Sequence, residues 1–127
     1  MEIPRPYSAW RNDPDQRWRD AFHTFGHLLM THARDNALDQ VPATASGETR
    51  TIAAKAAVDA LYNVMMILER VVVAPAEDEH MLEFALIARV RETTKPYRVV
   101  EEFELAPNGE ESACMGFHFW TDGDFQT

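Results

Sequence analysis

The spacing of apolar residues along the chain changes at Pro75. Before this proline, apolar residues recur at helical spacing, and after it they recur at every second position up to about Trp120. The first pattern indicates amphipathic helices, and the second indicates β-strands. The sequence therefore predicts an α+β fold with the element order α-α-β-β-β, in which two long helices pack on one face of a three-stranded antiparallel sheet.

The first helix is predicted over residues 13–40. Asp13 can accept hydrogen bonds from the first-turn amides and Pro14 suits the first helical position, whereas Pro42 prevents continuation. The apolar face of this helix is expected to comprise Trp18, Phe22, Phe25, Leu29, His32 and Ala33. Residues 1–12 carry prolines among apolar side chains, and we expect them to form an extended arm.

The second helix is predicted over residues 49–73, and its apolar positions wrap most of its circumference. A helix this apolar needs cover on more than one side. Ala53, Ala57 and Ala60 would let another helix approach closely, either the first helix or the same helix of a second copy. We therefore expect this helix to form the centre of the fold and the protein to be a homodimer.

The sheet is predicted over residues 81–120, with strands at about 81–91, 97–105 and 112–120. The tripeptide Pro107-Asn108-Gly109 is a hairpin signal between the second and third strands. Residues 121–127 are expected to form a flexible tail.

The outward face of this sheet is less polar than a solvated face should be, because it carries Ile87, Val100, His118 and Trp120. Three interpretations fit this patch. It is a subunit contact with Trp120 as its anchor, or the floor of a small-molecule groove to which His118 and Trp120 supply contacts, or a surface that the arm covers.

Composition narrows the functional classes. A length of 127 residues fits one domain over residues 1–127, and a formal net charge of −9 disfavours nucleic acid and anionic membranes as partners. The same charge is compatible with a basic protein partner. No segment is expected to cross a bilayer, and residues 1–6 lack a secretory signal, so we expect a cytoplasmic location. Cys114 is the only cysteine, which excludes an intrachain disulfide.

Asp20, His23 and His27 form the cluster in the sequence that most resembles a metal-binding or catalytic site. On a helix their spacing of three and then four residues puts a carboxylate and two imidazoles on one face, which suits a divalent metal ion. The alternative is that these are polar side chains on the solvent-facing side of an amphipathic helix, with Asp20 and His23 paired locally.

Three isolated residues also bear on chemistry. His32 falls among apolar positions and is interpreted as a core histidine or as a functional base. Strict alternation places Glu101 on the core side of its strand, where its pKa is raised or it finds a donor, and either outcome marks a ligand pocket. The alternative is a bulge near Val99-Val100 or an edge position, which turns the side chain into water. Cys114 is interpreted as a buried inert thiol, or as a nucleophile activated by His118.

The chain carries no glycine-rich phosphate loop, nucleophile elbow or basic aromatic stripe. The sequence therefore favours a small acidic protein-interaction domain without catalytic activity, acting as a homodimer and with no cofactor. The alternative is a metal-dependent or small-ligand-binding enzyme that uses Asp20, His23 and His27.

Overall fold

The structure is a computed structural model that describes residues 13–72, 74–105 and 113–126. The predicted arm at residues 1–12 and the predicted hairpin turn at residues 107–109 lie outside the described residues. The elements in chain order are α1 (Pro14–Leu28), a π-helical segment (Leu29–Asp35), α2 (Asn36–Asp39), α3 (Gly47–Leu68), β1 (Ala74–Pro75), β2 (Met81–Leu82), β3 (Ile87–Arg91), β4 (Val99–Glu104) and α4 (Ala113–Thr121).

The first rod of the fold runs without interruption through α1, the π-helical segment and α2. The Asp13 carboxylate accepts the backbone N–H of Asp15 at 2.9 Å and caps the helix, as the sequence predicts. The rod ends at Asp39, ahead of Pro42. The widened π turns in its middle were not predicted, because their i to i+5 hydrogen bonds leave no simple periodicity in the sequence.

Helix α3 starts two residues earlier and ends five residues earlier than predicted. Ser46 caps its first turn by accepting the backbone N–H of Thr49 at 3.1 Å. The chain leaves the helix at Arg70, whose φ of 65° is in the left-handed region. The Arg70 side chain then donates to Glu104 at 2.8 Å, which fastens the end of α3 to β4.

The strands form two antiparallel pairs within the described residues, rather than one three-stranded sheet. β1 pairs with β2, and β3 pairs with β4. Alternation is visible in β3, where Ala88 and Val90 are the partly buried residues. The register shifts opposite Val90/Arg91 because Val100 is an extra residue in β4, so the bulge predicted near Val99-Val100 is confirmed.

The predicted third strand is wrong: residues 113–121 form helix α4. Phe117 and Trp120 are buried together with Gly116, a spacing that fits one helix face. The alternation of Met115, Phe117 and Phe119 mimicked a strand, since a short apolar run fits both periods. The structure is therefore a mixed α and β fold. It has two long helical segments, the rod at residues 14–39 and α3, and the short helix α4 in addition.

The core is built where α4 crosses α1, and each helix offers the other a glycine. A Cβ on Gly26 would lie 2.1 Å from the Trp120 side chain, and a Cβ on Gly116 would lie 2.2 Å from the Phe22 ring. The rings of Trp120 and Phe22 therefore fill the space that a side chain at position 26 or 116 would occupy. The buried apolar residues of the core are Phe22, Met30, Met65, Phe103, Leu105, Phe117 and Trp120.

This packing predicts an unusual response to alanine at Gly26. Alanine favours a helix interior by about 1 kcal/mol over glycine, yet the added methyl group would collide with Trp120. We expect Gly26→Ala to lower the free energy of unfolding by about 1–3 kcal/mol, the usual penalty of overpacking. Urea unfolding followed by circular dichroism measures it.

Gly47→Ala is the matched control, because no atom lies within 4 Å of the added methyl group at the start of α3. We expect it to leave stability unchanged or slightly higher. Equal losses in the two variants would contradict the close packing of Trp120 on Gly26.

Candidate functional site

One side of α3 carries an apolar surface that the described part of the fold leaves largely exposed. Leu61, Met65 and Leu68 point into the core, and Met65 is 1% exposed. About 100° around the helix from these residues lies a second apolar face, which we call the α3 flank. It consists of Ala53, Ala57, Ala60, Val64 and Ile67.

The α3 flank becomes more exposed and larger toward the end of the helix. Val64 is 46% exposed and Ile67 is 39% exposed, whereas Ala53 and Ala57 are partly buried. The five positions follow one another at spacings of four, three, four and three residues. This is the spacing by which a helix presents a straight seam to another helix.

Most charges on α3 lie away from this flank; Arg50, one turn before Ala53, is the exception, and its guanidinium donates to the Pro42 carbonyl at 2.7 Å. Lys55 and Asp59 lie on the far side of the helix, where they form an ion pair with each other. The positions bordering the flank on its solvent side are Thr49, Ala56 and Asn63, which are all uncharged and exposed. The flank is therefore apolar along its length and bordered by small neutral residues.

Helix α3 is also long and apolar enough to cross a membrane by length and composition, which the sequence analysis did not expect. Little of the helix is buried within the fold. The ionised pair Lys55 and Asp59 nevertheless lies near its middle, where hydrocarbon would be least favourable for charges.

More exposed apolar side chains follow the end of α3. Val71 and Val72 come directly after the helix, and Met81, Leu82 and Phe84 lie on and after β2. Arg70 connects this region to β4. Its guanidinium Nε lies 3.8 Å from a carboxylate oxygen of Glu83, and its Nη1 forms the ion pair with Glu104. The exposed apolar area of α3 thus has neighbours in the β1–β2 hairpin region.

The structure does not bring the four predicted patch residues together. Trp120 is fully buried in the core, and His118 is exposed on α4, because this segment is a helix and not the third strand. Ile87 on β3 and Val100 on β4 are both exposed. An exposed tryptophan anchor is therefore ruled out, while the two strand residues keep the exposure that was predicted.

A groove of about 400 Å³ runs between α1 and β3. Phe25 and Leu28 form one wall, and Ile87 and Val90 belong to the other. Among the described residues, Arg89 is the only charged one that lines it, and its guanidinium donates to Glu102 at 2.7 Å. The apolar spacing in the sequence predicts the apolar faces of α1 and β3 that form the walls. It does not predict that these faces leave a groove between them.

Asp20 and His23 are both buried, not on the solvent-facing side of the helix, and His23 lies against α4. Asp20 is 0% exposed and His23 is 2% exposed. The indole N–H of Trp120 donates to Nδ1 of His23 at 3.1 Å, so that nitrogen is an acceptor and the proton of the neutral ring lies on Nε2. His23 thereby satisfies the polar atom of the most buried tryptophan.

His27 lies one turn further along α1 and contacts a different part of the chain. Its ring packs edge-on against Phe125 at 5.1 Å, which places part of the predicted flexible tail on α1. Within the described ranges, no three His, Cys, Asp or Glu side chains come together as a metal site, Asp20, His23 and His27 included. Metal binding by these three residues stays a prediction.

Glu101 finds a donor, one of the alternatives that the sequence left open. Both of its carboxylate oxygens accept from Arg17, with Nε at 2.9 Å and Nη2 at 3.0 Å. The pair is partly buried and joins α1 to β4 next to the bulge. A bidentate pair of this kind fixes orientation as well as distance.

The interpretation of His32 as a core histidine is wrong, whereas a functional base at His32 and both interpretations of Cys114 stay predictions. His32 is exposed in the π-helical segment, with its Nδ1 3.4 Å from the Asn36 amide nitrogen. Cys114 belongs to α4, and its side chain lies outside the described residues.

Comparisons with protein-family models, with curated proteins and with solved structures found no match to this chain. The function is therefore argued from the surfaces described above.

The burial of His23 predicts a structural role that can be measured. His23→Ala removes the acceptor of the Trp120 N–H and leaves a cavity, and we expect it to lower the free energy of unfolding by about 2–4 kcal/mol. His32→Ala, at an exposed position of the same rod, is expected to cost less than about 0.5 kcal/mol. Chemical denaturation compares the two variants.

Similar losses in both variants would contradict the structural role of His23. The same proteins test the predicted metal site. A rise in Tm on adding zinc that is present in the wild type and lost in His23→Ala would support metal binding there.

Proposed function

We propose that this chain is a protein-interaction domain without catalytic activity and that it acts as a homodimer through the α3 flank. One observation carries the proposal: a long apolar helix has one side packed on the core and an apolar flank left in solvent. Exposed apolar surfaces of this extent on a soluble chain are typical of interaction sites.

A stable interface must remove apolar area from water, which lowers the free energy of association, and it must not bury unpaired charges. The α3 flank meets both conditions, since it offers Val64 and Ile67 to a partner and keeps Lys55 and Asp59 outside. Ala57 and Ala60 add little area, but they allow helix axes to approach to about 8 Å.

The net charge supports the rest of the proposal. At −9 the chain favours basic protein partners for any surface beyond the dimer contact, and it disfavours nucleic acid and anionic lipid. The exposed acidic residues Glu77, Asp78 and Glu79 form one such surface in the β1–β2 turn. A cytoplasmic location is part of the proposal.

The oligomeric state tests it directly. We expect light scattering at micromolar concentration to give twice the chain mass of 14.5 kDa. Val64→Lys places a charge on the α3 flank and should shift the mass to one chain with an unchanged circular dichroism spectrum. Ile52→Lys makes the same change at a position that is 63% exposed but off the flank, and it should leave the dimer intact.

A wild-type mass of one chain would overturn the proposal. So would a Val64→Lys variant that remains dimeric. Flotation of the wild-type protein with neutral phosphatidylcholine vesicles would show that α3 meets lipid rather than protein, and would overturn it as well.

A second candidate function rests on the groove between α1 and β3. Its volume suits a small ligand, its walls are apolar, and Arg89 supplies a single cation at the β3 side. We propose an amphipathic carboxylate as the ligand class, with its chain along Phe25 and Leu28 and its carboxylate at Arg89.

Decanoate is a suitable probe for this groove. Titration calorimetry should show saturable binding to the wild type and weaker binding, by tenfold or more, to Ile87→Glu, which puts a negative charge in the groove wall. Val100→Glu changes an exposed apolar residue that does not line the groove and should bind as the wild type does. Absence of saturable binding to the wild type would overturn this second function.

A further inference from the structure

The α3 flank has a gradient of size along the helix. Its first three positions are Ala53, Ala57 and Ala60, and its last two are Val64 and Ile67. A helix that packs tightly against this flank must therefore carry large residues where α3 has small ones, and small residues where α3 has large ones.

An antiparallel copy of α3 meets that requirement. When the two-fold axis crosses the helix pair at the level of residue 62, Ala57 faces Ile67 of the second copy and Ala60 faces its Val64. The same contacts repeat on the other side of the axis, because a two-fold interface is self-complementary. A parallel copy would instead place alanine against alanine and leave gaps in the first half of the seam.

Electrostatics agree with the antiparallel arrangement. Thr49, Ala56 and Asn63, which border the flank on its solvent side, carry no charge, so no like charges meet along that side of the seam. The macrodipoles of the two helices also run in opposite directions, which is the favourable alignment. Ala53 then lies beyond the helical part of the second copy, level with its exposed Val71.

We infer that two copies of this chain pair antiparallel along α3, with the two-fold axis at residue 62. The inference rests on the proposed homodimer and specifies its orientation and register. It assigns the second copy, rather than a different protein, to the α3 flank.

Cysteine cross-linking tests the register with two variants at equivalent positions of the seam border. In the antiparallel pair, the two copies of residue 63 lie about 3 Å apart along the axis and the two copies of residue 56 lie about 18 Å apart. Asn63→Cys should therefore cross-link to itself with a short bismaleimide, and Ala56→Cys should not. Both positions are exposed, and circular dichroism checks that each variant is folded.

Peptide mass spectrometry identifies the linked residues, so the native Cys114 remains in place. Cross-links at both positions would indicate a parallel pair and overturn the inference. A dimer by light scattering with no cross-link at residue 63 would overturn the register while the proposed function stands. A wild-type monomer would remove the proposed function and this inference together.

Discussion

The fold depends on the contact between Trp120 and Gly26. The fully buried indole of Trp120 lies so close to α1 that a Cβ at position 26 would collide with it, and Gly26 provides the gap. The indole N–H would then be buried without water, and His23, one turn before Gly26 on the same helix, accepts it. Gly26 thus makes room for the indole ring and His23 accepts its N–H. These two contacts, from neighbouring positions on α1, fix how α4 crosses it.

This contact decides which side of α3 is covered. Tyr62 packs its ring against Phe117 and His118, so α4 occupies the side of α3 that bears Tyr62. Met65 faces the core that α1 and α4 enclose. On the opposite side, Val64 and Ile67 of the α3 flank remain exposed.

The sequence predicts correctly those features that depend only on residues close together in the chain. Asp13 caps α1 because capping needs only the next few residues, and the Val100 bulge follows from the mismatch of Glu101 with strand alternation. The long apolar α3 was also recognised. The sequence predicts a strand at about 112–120, because Gly116 and Trp120 show why they suit a helix only when Phe22 and Gly26 are opposite them. The burial of His23 is not predicted for the same reason, since its partner Trp120 comes from α4.

The charge of the chain gives the α3 flank its selectivity. Two copies that each carry −9 repel one another over most of their surfaces, and this repulsion opposes contacts through acidic regions such as residues 77–79. Attraction can exceed repulsion only where apolar area is large and charge is absent. On α3 the side chains of Lys55 and Asp59 pair with each other on the far side of the helix, away from the exposed Val64 and Ile67. In the proposed homodimer, the acidic composition would therefore favour an apolar contact surface such as the α3 flank over the acidic regions.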